Sequence, residues 1–264
     1  MLIELGLYKP FRKDPERMWR VARDIGVPAF IRHVLAPGWG YGRDRVPEAD
    51  GVVLAFNHLS AIDPPLVGAY TRRTVYMMAK AELLEMPLVG EFLRMLGSFG
   101  VRRGEGDRDS LRVARWLLEH GHAVGVFMEG TRQTFGHPGP AHAGAAMLAI
   151  QEGVPLVPCG LDTFQWSLSN RRKCAVVWGH PIDLSGLPRN GRGYKEGTAV
   201  VGEEILRLWR LAAEAVAAGF PAGLPDGARR HGHAGHGGAL VMDARSWPRE
   251  PWAAGPLVPV FEGA

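Results

Sequence analysis

A histidine and an aspartate five residues apart, His58 and Asp63, stand at the exit of the apolar run Val52-Val53-Leu54-Ala55-Phe56. A neutral imidazole takes a hydroxyl proton at physiological pH. A carboxylate on its other ring nitrogen fixes the tautomer and steadies the resulting imidazolium. The chain between them must turn for the two side chains to meet, and Pro64-Pro65 would hold the exit of that turn. Alone, the spacing fits a hydrogen-bonded structural histidine better than a base. Ser60 is too close to His58 to complete a triad, and the Gly-x-Ser-x-Gly elbow of hydrolases is missing. The chemistry indicated is direct base catalysis, in which an acceptor hydroxyl attacks an activated acyl group.

A second polar knot, Glu129-Gly130-Thr131-Arg132, follows the apolar run Val124-Gly125-Val126-Phe127-Met128. Gly130 lets the backbone approach a ligand, Thr131 offers a hydroxyl, and Arg132 can grip a phosphate with two parallel hydrogen bonds. Arg102-Arg103, after Ser98-Phe99-Gly100-Val101, form another basic point. Taken singly, these also read as a strand-end turn and solvated arginines. Together the knots point to an enzyme that deprotonates a hydroxyl beside an anionic group.

The elements that must position these residues are short apolar strands alternating with helices. Strands are predicted at 52–56, 74–78, 98–101, 123–128, 155–161 and 174–178. Helices are predicted near 88–96, 110–119, 144–152 and 196–218, with Gly121 and Gly153 as stops. This pattern predicts an α/β fold with a central, mostly parallel sheet flanked by helices. In such sheets reactive residues gather beyond the carboxyl ends of strands, where both knots fall.

Before the sheet, Asp14-Pro15 starts a helix whose Met18, Val21, Ala22 and Ile25 form one apolar stripe, and a second apolar piece runs from Ala29 to Leu35. Residues 1–45 hold nine Lys/Arg against five acids, an excess equal to the whole chain's net charge of +4. The expectation is a basic amphipathic N-terminal segment over 1–50, with 14–36 fitting either a membrane interface or the domain core. The main domain is expected over 51–218 and a Gly/Pro/His-rich tail without fixed fold over 219–264.

The 264 residues, 46% hydrophobic, suffice for one sizeable core. Cys159 and Cys174 give neither a disulfide framework nor zinc spacing, which indicates a reducing cytosolic setting. No run of eighteen apolar residues and no signal peptide is recognisable. Nucleic-acid binding is not expected, because the basic excess sits on an amphipathic helix rather than an aromatic-lined strand face. His231-Gly232-His233-Ala234-Gly235-His236 reads as flexible polar tail rather than a metal site.

The residues now on the page resemble the 1-acylglycerol-3-phosphate acyltransferase family over about residues 50 to 185. Asn57-His58-Leu59-Ser60-Ala61-Ile62-Asp63 is similar to its first block, which carries the catalytic His and Asp. Gly97-Ser98-Phe99-Gly100-Val101-Arg102-Arg103-Gly104 resembles the second, with Arg103 on the phosphate-binding arginine. Phe127-Met128-Glu129-Gly130-Thr131-Arg132 resembles the third and Val154-Pro155-Leu156-Val157-Pro158 the fourth. Lys80-Ala81-Glu82-Leu83 also looks familial. Three positions depart from the pattern: Met128 replaces a proline, His142-Ala143 replaces a basic residue, and Gln133 replaces a small hydroxyl residue.

The resemblance implies a glycerol-3-phosphate acyltransferase-like fold and acyl transfer from a thioester to a lysophospholipid hydroxyl, with 1-acylglycerol 3-phosphate giving phosphatidate as the default. His58 would be the base and Asp63 its orienter. Arg103 and Arg132 would hold the acceptor's phosphate, Glu129, Gly130 and Thr131 would shape that pocket, and Lys80 would be a further cation for it. Backbone amides near the first block would meet the oxyanion. Coenzyme A or acyl carrier protein would be a co-substrate, with no metal or bound cofactor required. Lipid substrates favour the membrane-interface reading of 14–36 and a peripheral or monotopic place on the cytoplasmic face. The alternatives are an esterase or thioesterase using water, another lysolipid acceptor, and a lipid-binding protein without catalysis.

Overall fold

Runs such as Val52–Phe56 and Cys174–Trp178 have no polar face, so they must be covered on both sides. A computed structural model describes residues 30–220 other than 89, 91, 92, 95, 96 and 102–107. The sheet has seven strands: β1 (Gly38–Tyr41), β2 (Val52–Phe56), β3 (Val75–Lys80), β4 (Phe99–Val101), β5 (Ala123–Phe127), β6 (Leu156–Asp162) and β7 (Cys174–Trp178). Their order is β1-β7-β6-β2-β5-β3-β4. β6, β2, β5, β3 and β4 run parallel; β7 is antiparallel to β6, and β1 is parallel to β7. The mostly parallel sheet read from the sequence is the one observed.

The helices are α1 (Asp63–Ala69), α2 (Ala81–Glu85), α3 (Arg108–Glu119), α4 (Gly144–Glu152) and α5 (Gly191–Ala217). β2 shows how the layers divide. Val53 and Ala55 face a cluster that includes Val113 and Leu117 of α3, Leu148 and Ile150 of α4, and Val201 of α5. Val52, Leu54 and Phe56 face the other way, toward Leu66 and Val67 of α1 and the indole of Trp178. Gly121 and Gly153 stop α3 and α4 in left-handed backbone, with φ of 76° and 64°. Asn190 caps α5, its side chain accepting from the amides of Arg192 and Gly193.

Two regions differ from the sequence expectation. β1 lies inside the segment 1–50 assigned to an N-terminal helical piece, so the sheet begins before residue 51. Gly38, Gly40 and Trp39 gave no apolar alternation to reveal it; register against Cys174–Val177 does. The apolar piece before it forms a π-helical turn, Ile31–Leu35, in which Ile31 and Leu35 pack on the core while the Trp166 indole donates to the Leu35 carbonyl at 2.9 Å. Phe30 and Val34 stay exposed. The helix expected from Asp14, Arg103, most of the 88–96 helix and the tail from residue 221 lie outside the described residues. No helix among the described residues is long and apolar enough to cross a membrane.

α5 packs closely against β6, and Gly160 permits it. A Cβ there would lie 2.2 Å from the Trp209 backbone nitrogen and 2.3 Å from the Leu208 carbonyl carbon. Because the clash is with backbone, a rotamer change cannot relieve it. We expect Gly160→Ala to destabilise the fold by about 3 kcal/mol, read as a lowered thermal melting point in the full chain.

Candidate active site

β2 ends at Phe56, and the residues after it keep its hydrogen bonding going by side chain. The buried Asn57 amide accepts from the Leu161 N–H at 2.7 Å and donates to the Leu161 carbonyl at 2.9 Å, mimicking one more rung of the β2–β6 ladder. The chain then turns so that His58 Nδ1 lies 2.7 Å from Asp63 Oδ2. A carboxylate only accepts, so Nδ1 carries the proton and Nε2 is left as the acceptor. The turn thus presents a pre-set base.

Asp63 is fully buried, and its partners are all donors. Oδ2 also accepts from the amides of Leu59 at 2.7 Å and Ser60 at 2.8 Å. Oδ1 accepts from the Ser60 hydroxyl at 3.4 Å and from the Thr163 hydroxyl. The Ile62 amide goes to Ser60 Oγ and the Asp63 amide to the Ser60 carbonyl. These four amides are therefore committed to holding the turn. The expectation that first-block amides meet an oxyanion is corrected to that extent.

Phe127, the last residue of β5, stacks on the His58 ring at 4.2 Å and 26° and screens one face of it. Beyond it, the Met128 amide donates to the Phe56 carbonyl and the Gln133 amide to the His58 carbonyl at 2.8 Å. The second polar knot is thereby tied to the first. Gly130 makes the reversal with φ of 63°, its amide closing on the Phe127 carbonyl. Thr131 and Arg132 stand exposed on this loop.

Glu129 is turned inward. Oε1 accepts from the Gly139 amide at 3.3 Å, while Oε2 is buried with no partner. Burial pushes its pKa up to about 8; the amides of Glu129, His58 and Gly139 oppose this and the nearby Asp63 charge adds to it. Burial thus favours the protonated form of this carboxyl.

The structure does not bring Lys80 into this group. It ends β3, two strands from β2 and so about 10 Å away laterally, and it pairs on the surface with Glu82 at 3.2 Å. Thr163 and Phe127 are contributors that sequence reasoning missed. A hydroxyl residue just past the strand neighbouring β2 was the available signal for Thr163. Among the described residues no three His, Cys, Asp or Glu side chains converge as metal ligands.

Residues 40–162 match the family profile described as Acyltransferase. This part of the chain is similar to acyltransferase domains. The chain is 28% identical over 158 residues to a 1-acyl-sn-glycerol-3-phosphate acyltransferase of Bacillus subtilis, covering 58% of this chain and 78% of that protein. It is 30% identical over 123 residues to the enzyme of that name from Borreliella burgdorferi, covering 46% of this chain and 49% of that one. Against the alpha form of Homo sapiens it is 32% identical over 155 residues, 55% of each chain. It thus spans only about half the length of several of these relatives. The crystal structure of the 1-acyl-sn-glycerophosphate (LPA) acyltransferase, PlsC, from Thermotoga maritima superposes with a TM-score of 0.59 at 24% identity, covering 78% of this chain and 86% of that one. That likeness establishes the fold.

Two outcomes follow for the domain. Thr163→Val leaves Asp63 Oδ1 short of a donor, so kcat should fall about tenfold while the donor KM stays constant and Thr163→Ser restores the rate. Glu129 binds a proton in the folded state that the unfolded chain releases above pH 4.5. Stability should therefore decline from pH 4.5 to about 8 by up to roughly 1.4 kcal/mol per pH unit, and Glu129→Gln should flatten that slope in denaturant titrations.

Proposed function

We propose that the protein transfers an acyl group from a thioester, carried by coenzyme A or acyl carrier protein, to the free hydroxyl of a lysophospholipid. 1-Acylglycerol 3-phosphate giving phosphatidate is the preferred acceptor and product. The observation that carries this reading is the buried Asp63 holding His58 Nδ1–H, with the Gln133 amide, just after the Glu129–Arg132 turn, bound to the His58 carbonyl beside it. The base and an arginine able to grip a phosphate follow the carboxyl ends of the adjacent strands β2 and β5.

His58 Nε2 takes the acceptor hydroxyl proton, and the imidazolium is balanced by Asp63. The oxygen adds to the thioester carbonyl, the C–S bond breaks, and His58 returns the proton to the leaving sulfur. The oxyanion is met by donors other than the amides of Leu59, Ser60, Ile62 and Asp63. Arg132 and Arg103 grip the acceptor's phosphate, and Gly130, Thr131 and Glu129 shape its seat. Fixing the phosphate decides which hydroxyl meets His58, so these groups supply orientation. Lys80 acts at most on approaching charge, given its distance and its pairing with Glu82.

A lipid acceptor and product place the enzyme at a membrane, peripheral or monotopic, on the cytoplasmic face, with 14–36 as one point of attachment. No bound cofactor or metal enters this scheme.

The test follows thiol release from oleoyl-CoA with and without lysophosphatidate. Release should require the acceptor, and His58→Ala should reduce it by about a thousandfold. Equal release without acceptor would mean that water is the acceptor and the protein a thioesterase.

A further inference from the structure

β6 ends at Asp162, whose ladder partner is Ala175 of β7, so Thr163 is the first residue that strand pairing does not hold. Its hydroxyl must nevertheless stay on Asp63 Oδ1. Alternation along the strand sets the directions. Leu161 packs with Leu66 and Val67 of α1, so Asp162 turns to the opposite face and Thr163 back toward the start of α1. A small rotation of the strand end would swing the hydroxyl off the carboxylate.

Asp162 supplies the counter-hold. Its two oxygens accept from Nη1 and Nη2 of Arg172 at 3.2 and 3.0 Å, and the carboxylate is buried while the guanidinium reaches water. Arg172 stands just before β7, so the pair closes the mouth of the loop 163–173. That loop is bonded back on itself. Asn170 Oδ1 accepts from the amides of Ser167 and Arg172, each at 3.0 Å, and Asn170 Nδ2 donates to the Gln165 carbonyl at 2.7 Å. The Trp166 amide donates to the Thr163 carbonyl at 3.1 Å. Gln165 and Arg171 sit in left-handed backbone, with φ of 59° and 44°, which a residue with a Cβ keeps only where its surroundings dictate it. A buried ion pair rarely adds stability over apolar side chains of the same volume; what it adds is one geometry. Here that geometry is the direction of the neighbouring hydroxyl.

We infer that Arg172 is a positioning residue for the base. Through its two bonds to Asp162 it fixes the rotation of the β6 end, which keeps the Thr163 hydroxyl on Asp63 and the His58 imidazole in line. It acts through Thr163 rather than on the substrate. Arg172 matters in this way only if His58 is the base of acyl transfer, the reading on which the assignment rests.

In the full chain Arg172→Ala should lower kcat for acceptor-dependent thiol release about fivefold at constant donor KM, and Arg172→Lys should recover most of the rate. A double-mutant cycle with Thr163→Val separates positioning from general loosening. With the hydroxyl already gone, Arg172→Ala should cost less than about twofold more. Losses that multiply would overturn the inference, since Arg172 would then act by another route. So would an unchanged kcat in a folded Arg172→Ala protein. That variant strands the Asp162 charge; if it does not fold, Asp162→Leu/Arg172→Met, which replaces the pair by apolar side chains, takes its place in the cycle. The His58 Nδ1 proton gives a readout without substrate. Its downfield NMR resonance, assigned by its loss in His58→Ala, should shift in Thr163→Val and in Arg172→Ala alike. A resonance that moves in the first and stays in the second would overturn the inference. Failure of the unmodified chain to release thiol with any acceptor would overturn the acyl-transfer reading, while the proton resonance still decides the positioning.

Discussion

The two oxygens of Asp63 are the point on which the site depends. A carboxylate removed from water costs several kcal/mol unless donors replace its hydration. Here the replacement comes from three places: the His58 ring, the turn amides and hydroxyl, and Thr163 at the exit of β6. One charge therefore fixes the rotation of the imidazole, the path of the 57–62 turn, the start of α1 and the register of β6 beside β2. Pro64 and Pro65 fit this arrangement because the first turn of α1 would otherwise carry donors with nothing to satisfy them.

A second carboxyl a few side chains away has the opposite fate. Burial outweighs the amides near Glu129 and leaves its Oε2 without a partner, pushing its pKa up to about 8, where Asp63 gathers donors. The difference lies in what surrounds each group rather than in its chemistry. The two carboxyls a short way apart are thus held in different protonation preferences by their surroundings. The glycine at 130 matters for the same reason, since the reversal there turns Glu129 inward while Thr131 and Arg132 point out.

Much of this was legible in the residue order. The apolar runs of β2, β5, β6 and β7 and the glycine stops of α3 and α4 mark themselves, because burial on two faces and left-handed caps each demand particular residues. His58 and Asp63 were findable because both partners lie in one turn. β1 was not, since Gly-Trp-Gly-Tyr has no periodicity and its pairing with β7 is decided by a segment more than 130 residues away. Thr163 was hidden for the same reason, and so was the inward turn of Glu129, which depends on the later loop that supplies the Gly139 amide. Lys80 shows the converse, a residue close to the motifs in sequence but held two strands off by the sheet order.

The span across which the site is closed has a consequence in time. Asn57 meets Leu161 across 104 residues and Asp63 meets Thr163 across 100. Contacts of such separation form late, after the entropy of closing the intervening chain has been overcome. During synthesis nearly the first three-fifths of the protein leaves the ribosome with its base and carboxylate made but the neighbouring strand β6 absent. Until β6 slides in beside β2, the carboxylate stays hydrated and the imidazole unaligned. The site is therefore complete only once about 163 residues of chain are in place.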